Sequence, residues 1–191
     1  VQDTYEKRDL WMNLPMCNGK GPAIGQPTKY FDSDVFSVWN YTRLFGSWNH
    51  GLFQTPSAWT DAAHRNGTDM YSGIKFFDTT GNPGGVSSAA WRALIATKNS
   101  DGTYKYVDPI INCLMYFGVD GINFNWEDTG YANKEVIEFH QALNKKAAEN
   151  GFNNFHMGIY TAVQGLTTAN VSALYGDSKG RTCDFFANYS A

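Results

Sequence analysis

The chain has 191 residues, 42% hydrophobic and 16% aromatic, enough apolar material for one sizeable core. Its net charge of −3 disfavours a nucleic-acid or anionic-membrane surface, and no apolar run of about 18 residues is present to span a bilayer. Three scattered cysteines, Cys17, Cys113 and Cys183, form no CxxC and read as free, buried thiols rather than a disulfide or metal framework.

The residues from Asp9 to Met16 have strand character and run into a glycine-rich loop, Asn18 to Gly25. That loop is GxGxxxG with Pro22 inside it and no helical pattern behind it, so it is not a dinucleotide fingerprint. Tyr30 to Asn40 is aromatic and irregular, and Thr42 to Trp48 reads as a second strand. Thr55 and Pro56 suit the cap and first turn of a helix with Trp59, Ala62 and Ala63 on its apolar stripe; Asn66-Gly67 ends it. Asp69 to Phe77 is a third strand. The loop Gly81 to Gly85 lacks the Lys-Ser/Thr of a P-loop. Helical patterns cover Ser87–Thr97 and Lys105–Phe117, and Gly118 to Glu127 is the fourth strand. A long helix follows, Asn133 to Glu149, with Val136, His140, Leu143 and Ala147 at helical spacing. Phe155–Tyr160 is strand five, Thr167–Tyr175 a helix, and Cys183–Tyr189 strand six.

Strands that alternate with helices imply a parallel sheet with helical crossovers. An open doubly wound sheet remains possible, but the fourth strand favours a (β/α)8 TIM barrel. Its residues alternate between a polar face (Asn123, Asn125 and Glu127, with Gly121) and an apolar one (Ile122, Phe124, Trp126). A barrel can turn the polar row inward, towards a site at the strand's C-terminal end. Such barrels take about 250 residues. Residues 1–191 are therefore expected to form one catalytic barrel domain holding about the first six β/α units, incomplete at its C-terminus.

The chemistry follows from that row. Retaining glycoside hydrolysis usually needs two carboxylates about 5 Å apart. Here Glu127 is an acid, but Asn125, two residues earlier on the same face, is a neutral amide and a poor nucleophile. With roughly 6–7 Å between their Cα atoms, the pair suits a different route. The substrate's own 2-acetamido oxygen attacks the anomeric carbon while Asn125 orients it, and Glu127 serves as acid and then base. The alternative to that route is a buried Asn–Glu hydrogen-bonded pair without catalytic duty. The histidines at 50, 64, 140 and 156 have no HxxxH spacing, His140 sits on an apolar helix face as a core residue would, and no Gly-x-Ser-x-Gly elbow occurs. Neither a metal nor another cofactor is expected.

The stretch Asp120-Gly-Ile-Asn-Phe-Asn-Trp-Glu127 resembles the strand-four motif of glycoside hydrolase family 85, the endo-β-N-acetylglucosaminidases, which ends in Asn-x-Glu. It is more distantly similar to the Asp-Gly-x-Asp-x-Asp-x-Glu motif of family 18 chitinases, with asparagine at 123 and 125. The segment Trp59 to Gly67, Tyr160 on strand five, and the Asn188-Tyr189 pair on strand six are also similar to family 85. Three departures stand out. Ile159-Tyr160-Thr161 replaces that family's Trp-Tyr-Asp, its His-Asp pair on strand one is not apparent in Asn13 to Cys17, and the loop after strand two has His50 without a clear paired histidine.

The resemblance implies hydrolysis of the GlcNAc-β1,4-GlcNAc core of N-linked glycans, with retention and substrate assistance. Glu127 and Asn125 would be catalytic. Tyr160, Asn123, Trp48, Asn188 and Tyr189 would bind substrate, whereas Trp126 points to the core. The expected partner is an N-linked glycan or other chitobiose-containing oligosaccharide, and the expected location is secreted or cell-surface. A non-catalytic glycan-binding protein and a chitinase-type relative are the alternatives.

Overall fold

The computed structural model describes residues 10–14, 36–47, 55, 57–75, 87–127 and 130–189. Cys17, Trp48, His50, Pro56 and the two glycine-rich loops, 18–25 and 81–85, lie outside them. Six strands form one parallel sheet: β1 (Trp11–Leu14), β2 (Leu44–Ser47), β3 (Asp69–Lys75), β4 (Gly121–Trp126), β5 (His156–Thr161) and β6 (Phe185–Asn188). Their spatial order is their chain order. A doubly wound sheet reverses direction at a switch point, so sequential order marks barrel winding.

The sheet is curled. Six flat strands at about 4.8 Å spacing would hold the outermost two roughly 24 Å apart. Instead the rings of Trp11 on β1 and Phe185 on β6 meet with centroids 4.7 Å apart. Tyr71 of β3 joins them, 5.9 Å from Trp11 and 5.7 Å from Phe185, and its hydroxyl donates to Asn13 Oδ1 at 2.9 Å. These rings plug the concave face. Two glycines make room for them: a Cβ at Gly46 would overlap the Tyr71 ring, and one at Gly158 would overlap Phe185. Such close approach is why a strand interior accepts glycine despite its entropic cost.

Among the described residues five helices cover the convex face: α1 (Ser57–Arg65), α2 (Ser88–Ala96), α3 (Val107–Tyr116), α4 (Lys134–Glu149) and α5 (Thr168–Leu174). Ser87 Oγ accepts the Ala90 N–H at 3.1 Å and Thr167 Oγ1 accepts the Asn170 N–H at 3.1 Å, capping α2 and α5. The two helical patterns expected before the fourth strand are α2 and α3, whereas the stretch read as irregular before β2 holds a short 3-10 turn, Trp39–Tyr41. None of the described helices is long and apolar enough to cross a membrane.

The layers are joined by aromatic packing. Phe45 of β2 stacks on Trp59 of α1 (5.3 Å, 13° between planes), and Phe124 of β4 lies against Trp91 of α2 and His140 of α4. Burying each such side chain contributes about 1.5–3 kcal/mol. His140 is a core residue, as its place on the apolar stripe implied, yet it is held by stacking 4.4 Å from Phe124 while its Nε2 bonds nothing among the described residues. Burial pushes its pKa down to about 3, so the ring is neutral. Cys113 and Cys183 are free. Cys183 is buried with its thiol donating to the Leu174 carbonyl, and burial pushes its pKa up to about 12.

Candidate active site

All six residues of β4 are buried, so the question is which way each points. Phe124 packs on helices α2 and α4, and the Arg92 guanidinium of α2 lies 5.3 Å from the Trp126 ring. Trp126 is therefore a core residue on the helical side, and strand alternation turns Asn123 and Asn125 to the concave side. In register, Asn123 is flanked by Gly73 of β3 and Gly158 of β5, neither of which offers a side-chain partner to its amide. Asn125 is flanked by Lys75 and Tyr160.

Both amides are almost completely buried, with 1% of Asn123 and 2% of Asn125 exposed. Yet Asn125 Oδ1 and Nδ2, and Asn123 Oδ1, have no hydrogen-bond partner among the described residues. Each such atom costs about 1–3 kcal/mol. Folded proteins leave few of them, and three in one patch call for an explanation other than stability.

Glu127 follows β4 directly, one residue past the last ladder pair, Trp126 with Thr161, and is exposed at the mouth of the curled sheet. Beside it stands a tyrosine pair. Tyr160, the register partner of Asn125, stacks on Tyr189 just past β6, with ring centroids 5.1 Å apart and planes 21° apart. The Tyr189 hydroxyl donates to the Glu127 carbonyl at 3.2 Å. Partial burial raises the Tyr160 phenol pKa, and the negative charge of Glu127 and then Tyr189 push it the same way. Tyr160 thus remains a hydroxyl, able to donate, at neutral pH.

One end of the curled sheet therefore gathers Asn123, Asn125, Glu127, Tyr160 and Tyr189. Asn188 is placed differently: it shares the outer face with Thr161, and its Oδ1 accepts the Val163 N–H at 3.1 Å, which clips the loop after β5. Trp48 lies outside the described residues. Ile159 and Thr161, where the sequence departs from the Trp-Tyr-Asp pattern, are 0% and 1% exposed and flank Tyr160 on the outer face. Those departures lie behind the sheet, away from the asparagines.

Sequence reasoning gave His156 and Asp69 no place. His156 Nε2 meets Asp69 Oδ2 at 2.8 Å, and Arg43 pairs with the same carboxylate. They form a charged floor at the strands' N-terminal end, beneath the aromatic plug. The signal was the alternation of His156 with Gly158 and Tyr160 along β5, but no partner for it could be read from sequence. Two surface grooves, of about 370 and 410 Å³, lie between α4 and α5 and beside Trp39 and Arg43; neither is lined by Asn125 or Glu127.

The fold is similar to that of the glycoside hydrolase domain of Spr0440, Endo-D, from Streptococcus pneumoniae R6, with a TM-score of 0.68 at 22% identity over 96% of this chain. The chain spans about 30% of the length of that protein. A GH18 chitinase from Pseudoalteromonas aurantia aligns with a TM-score of 0.46 at 13% identity, over 73% of this chain and 58% of its own. The spore cortex-lytic enzyme SleL of Bacillus megaterium QM B1551 aligns with 0.47 at 18% identity, over 69% and 31%. No curated protein matches. A family model described as glycosyl hydrolase family 85 matches residues 20–177, well over half of the chain and the span that holds Asn125, Glu127 and Tyr160. The partial barrel and the amide–carboxylate row at the end of its fourth strand accordingly occur in a chain that belongs to glycosyl hydrolase family 85.

Proposed function

We propose that the protein is an endo-β-N-acetylglucosaminidase that hydrolyses the GlcNAc-β1,4-GlcNAc core of N-linked glycans by a retaining, substrate-assisted mechanism. The observation that carries this reading is Asn125. Its amide is buried, bonded at neither end among the described residues, two residues from Glu127 and in register with Tyr160. An amide with a free donor and a free acceptor matches a substrate acetamide, which offers the complementary pair.

In the first step the acetamide carbonyl oxygen attacks the anomeric carbon, and the bond to the leaving sugar's O4 breaks. Glu127 gives its proton to that oxygen. Asn125 holds the acetamide in the attacking pose, and the Tyr160 hydroxyl donates a hydrogen bond to the group that becomes the oxazoline. In the second step the Glu127 carboxylate takes a proton from water, whose oxygen adds to the anomeric carbon and reopens the ring. Two inversions at one carbon give net retention. The exposed mouth position of Glu127 supports this double duty, because both the leaving sugar and the incoming water must reach it.

The outward placement of Ile159 and Thr161 supports catalysis over a binding-only role, since those changes do not remove a group from the concave face. A secreted or cell-surface location follows from the substrate class. The test is the full-length protein on a glycoprotein, with mass detection of released glycans and of asparagine left with a single GlcNAc. Glu127→Gln should fold normally and lose at least about 100-fold in turnover. Turnover of chitin oligosaccharides alone would move the assignment to a chitinase; no release from either substrate would favour a glycan-binding protein.

A further inference from the structure

The catalytic carboxylate proposed above sits where the β4 ladder has stopped. The last pair with β5 is Trp126 with Thr161, and the described pairing with β3 ends at Lys75 with Asn125, so Glu127 follows the described ladder on both sides. A donor to its carbonyl comes from two strands away, in the Tyr189 hydroxyl at 3.2 Å. Tyr189 is itself anchored twice. Its backbone N–H donates to the Thr161 carbonyl of β5 at 3.3 Å, and its ring stacks on Tyr160. One side chain thus ties β6 to β5 through the backbone, to Tyr160 through its ring, and to Glu127 through its hydroxyl.

On the strength of that geometry, and resting on the hydrolase reading above, we propose that Tyr189 is a positioning residue: a strut that fixes the Glu127 backbone relative to Tyr160. A general acid must stay within hydrogen-bond reach of the leaving oxygen, and a misplacement of about 1 Å costs about 100-fold in rate. Glu127 lies past the described ladder, and among the described residues the Tyr189 hydroxyl is the side-chain donor that holds its carbonyl. A sugar contact would act differently, because a ring that only stacks on substrate changes affinity and leaves the position of Glu127 alone.

The substitution that separates these roles is Tyr189→Phe, which keeps the ring and removes the hydroxyl. In the full-length protein kcat for release of N-glycan should fall about three- to tenfold with KM within about twofold of wild type. Tyr189→Leu, which also removes the stack, should lower kcat by at least a further factor of about three and change the basic limb of the pH–rate profile, because Tyr160 loses its ring neighbour. A Tyr189→Phe protein with unchanged kcat and raised KM would overturn the strut and make Tyr189 a substrate contact; no change in either parameter would also overturn it. If the wild type leaves N-glycans intact but cleaves chitin oligosaccharides, the substrate reading fails while the same kcat and KM comparison on that substrate still decides the strut. A wild type inert on both overturns the two together.

Discussion

At the residue scale, the question is how a carboxylate and an amide divide the work. Asn125 is placed to hold an acetamide during its attack, a step that a preformed sugar oxazoline has already passed. Asn125→Ala should therefore reduce hydrolysis of a glycoprotein at least about tenfold more than glycosyl transfer from a synthetic oxazoline. Equal losses in the two reactions would make Asn125 a general binding residue, and no loss in either would return it to packing. Both asparagines were legible in the sequence as members of an alternating polar row. Their isolation was not. Hydrogen-bond partners come from neighbouring strands, and only the register, which places glycines beside Asn123, shows why those strands offer its amide oxygen no side-chain donor.

At the element scale, β5 carries two demands two residues apart: Gly158 must admit the Phe185 ring, and Tyr160 must face the mouth. Gly158→Ala would place a methyl group inside that ring's space, so it should lower stability by about 1–3 kcal/mol in urea denaturation. Combining it with Phe185→Leu should recover part of that loss, with a coupling energy of about 1 kcal/mol; strict additivity would show that the ring has somewhere else to go. Element positions were read closely from sequence because their signals are local. Ser87 and Thr167 cap helices, and alternation marks β4. The polar seam between α4 and the approach to β6 was not readable. Gln141 and Asn144 lie on the buried side of α4 and bond Asp177 and the carbonyls of Gly180, Arg181 and Thr182, partners nearly forty residues away in the chain.

At the scale of the whole molecule, the buried neutral His140 links stability to pH. Its folded pKa is about 3 against an ordinary value of 6.5. Between those values the unfolded chain binds a proton that the folded chain does not, so stability falls as pH drops below about 6.5, by about 1.4 kcal/mol per pH unit from this group. His140→Leu should remove that slope from the pH dependence of the unfolding free energy measured in urea between pH 6 and 4. An unchanged slope would mean that the ring gains a proton without unfolding.

Taken alone, the sequence determined the parallel α/β class, the order of its strands and helices, and the pairing of one carboxylate with one amide. All of these rest on periodicity and spacing over a few residues. The tertiary structure decided the rest, because it depends on what faces what across the sheet. Curling brings Trp11 to Phe185, and register sets Tyr160 beside Asn125. Strand direction carries Asn188 to the outer face and Tyr189 to the inner one, although the two are adjacent in the chain. A one-residue step along a strand reverses the face, so membership of the site was settled by register rather than by nearness in sequence.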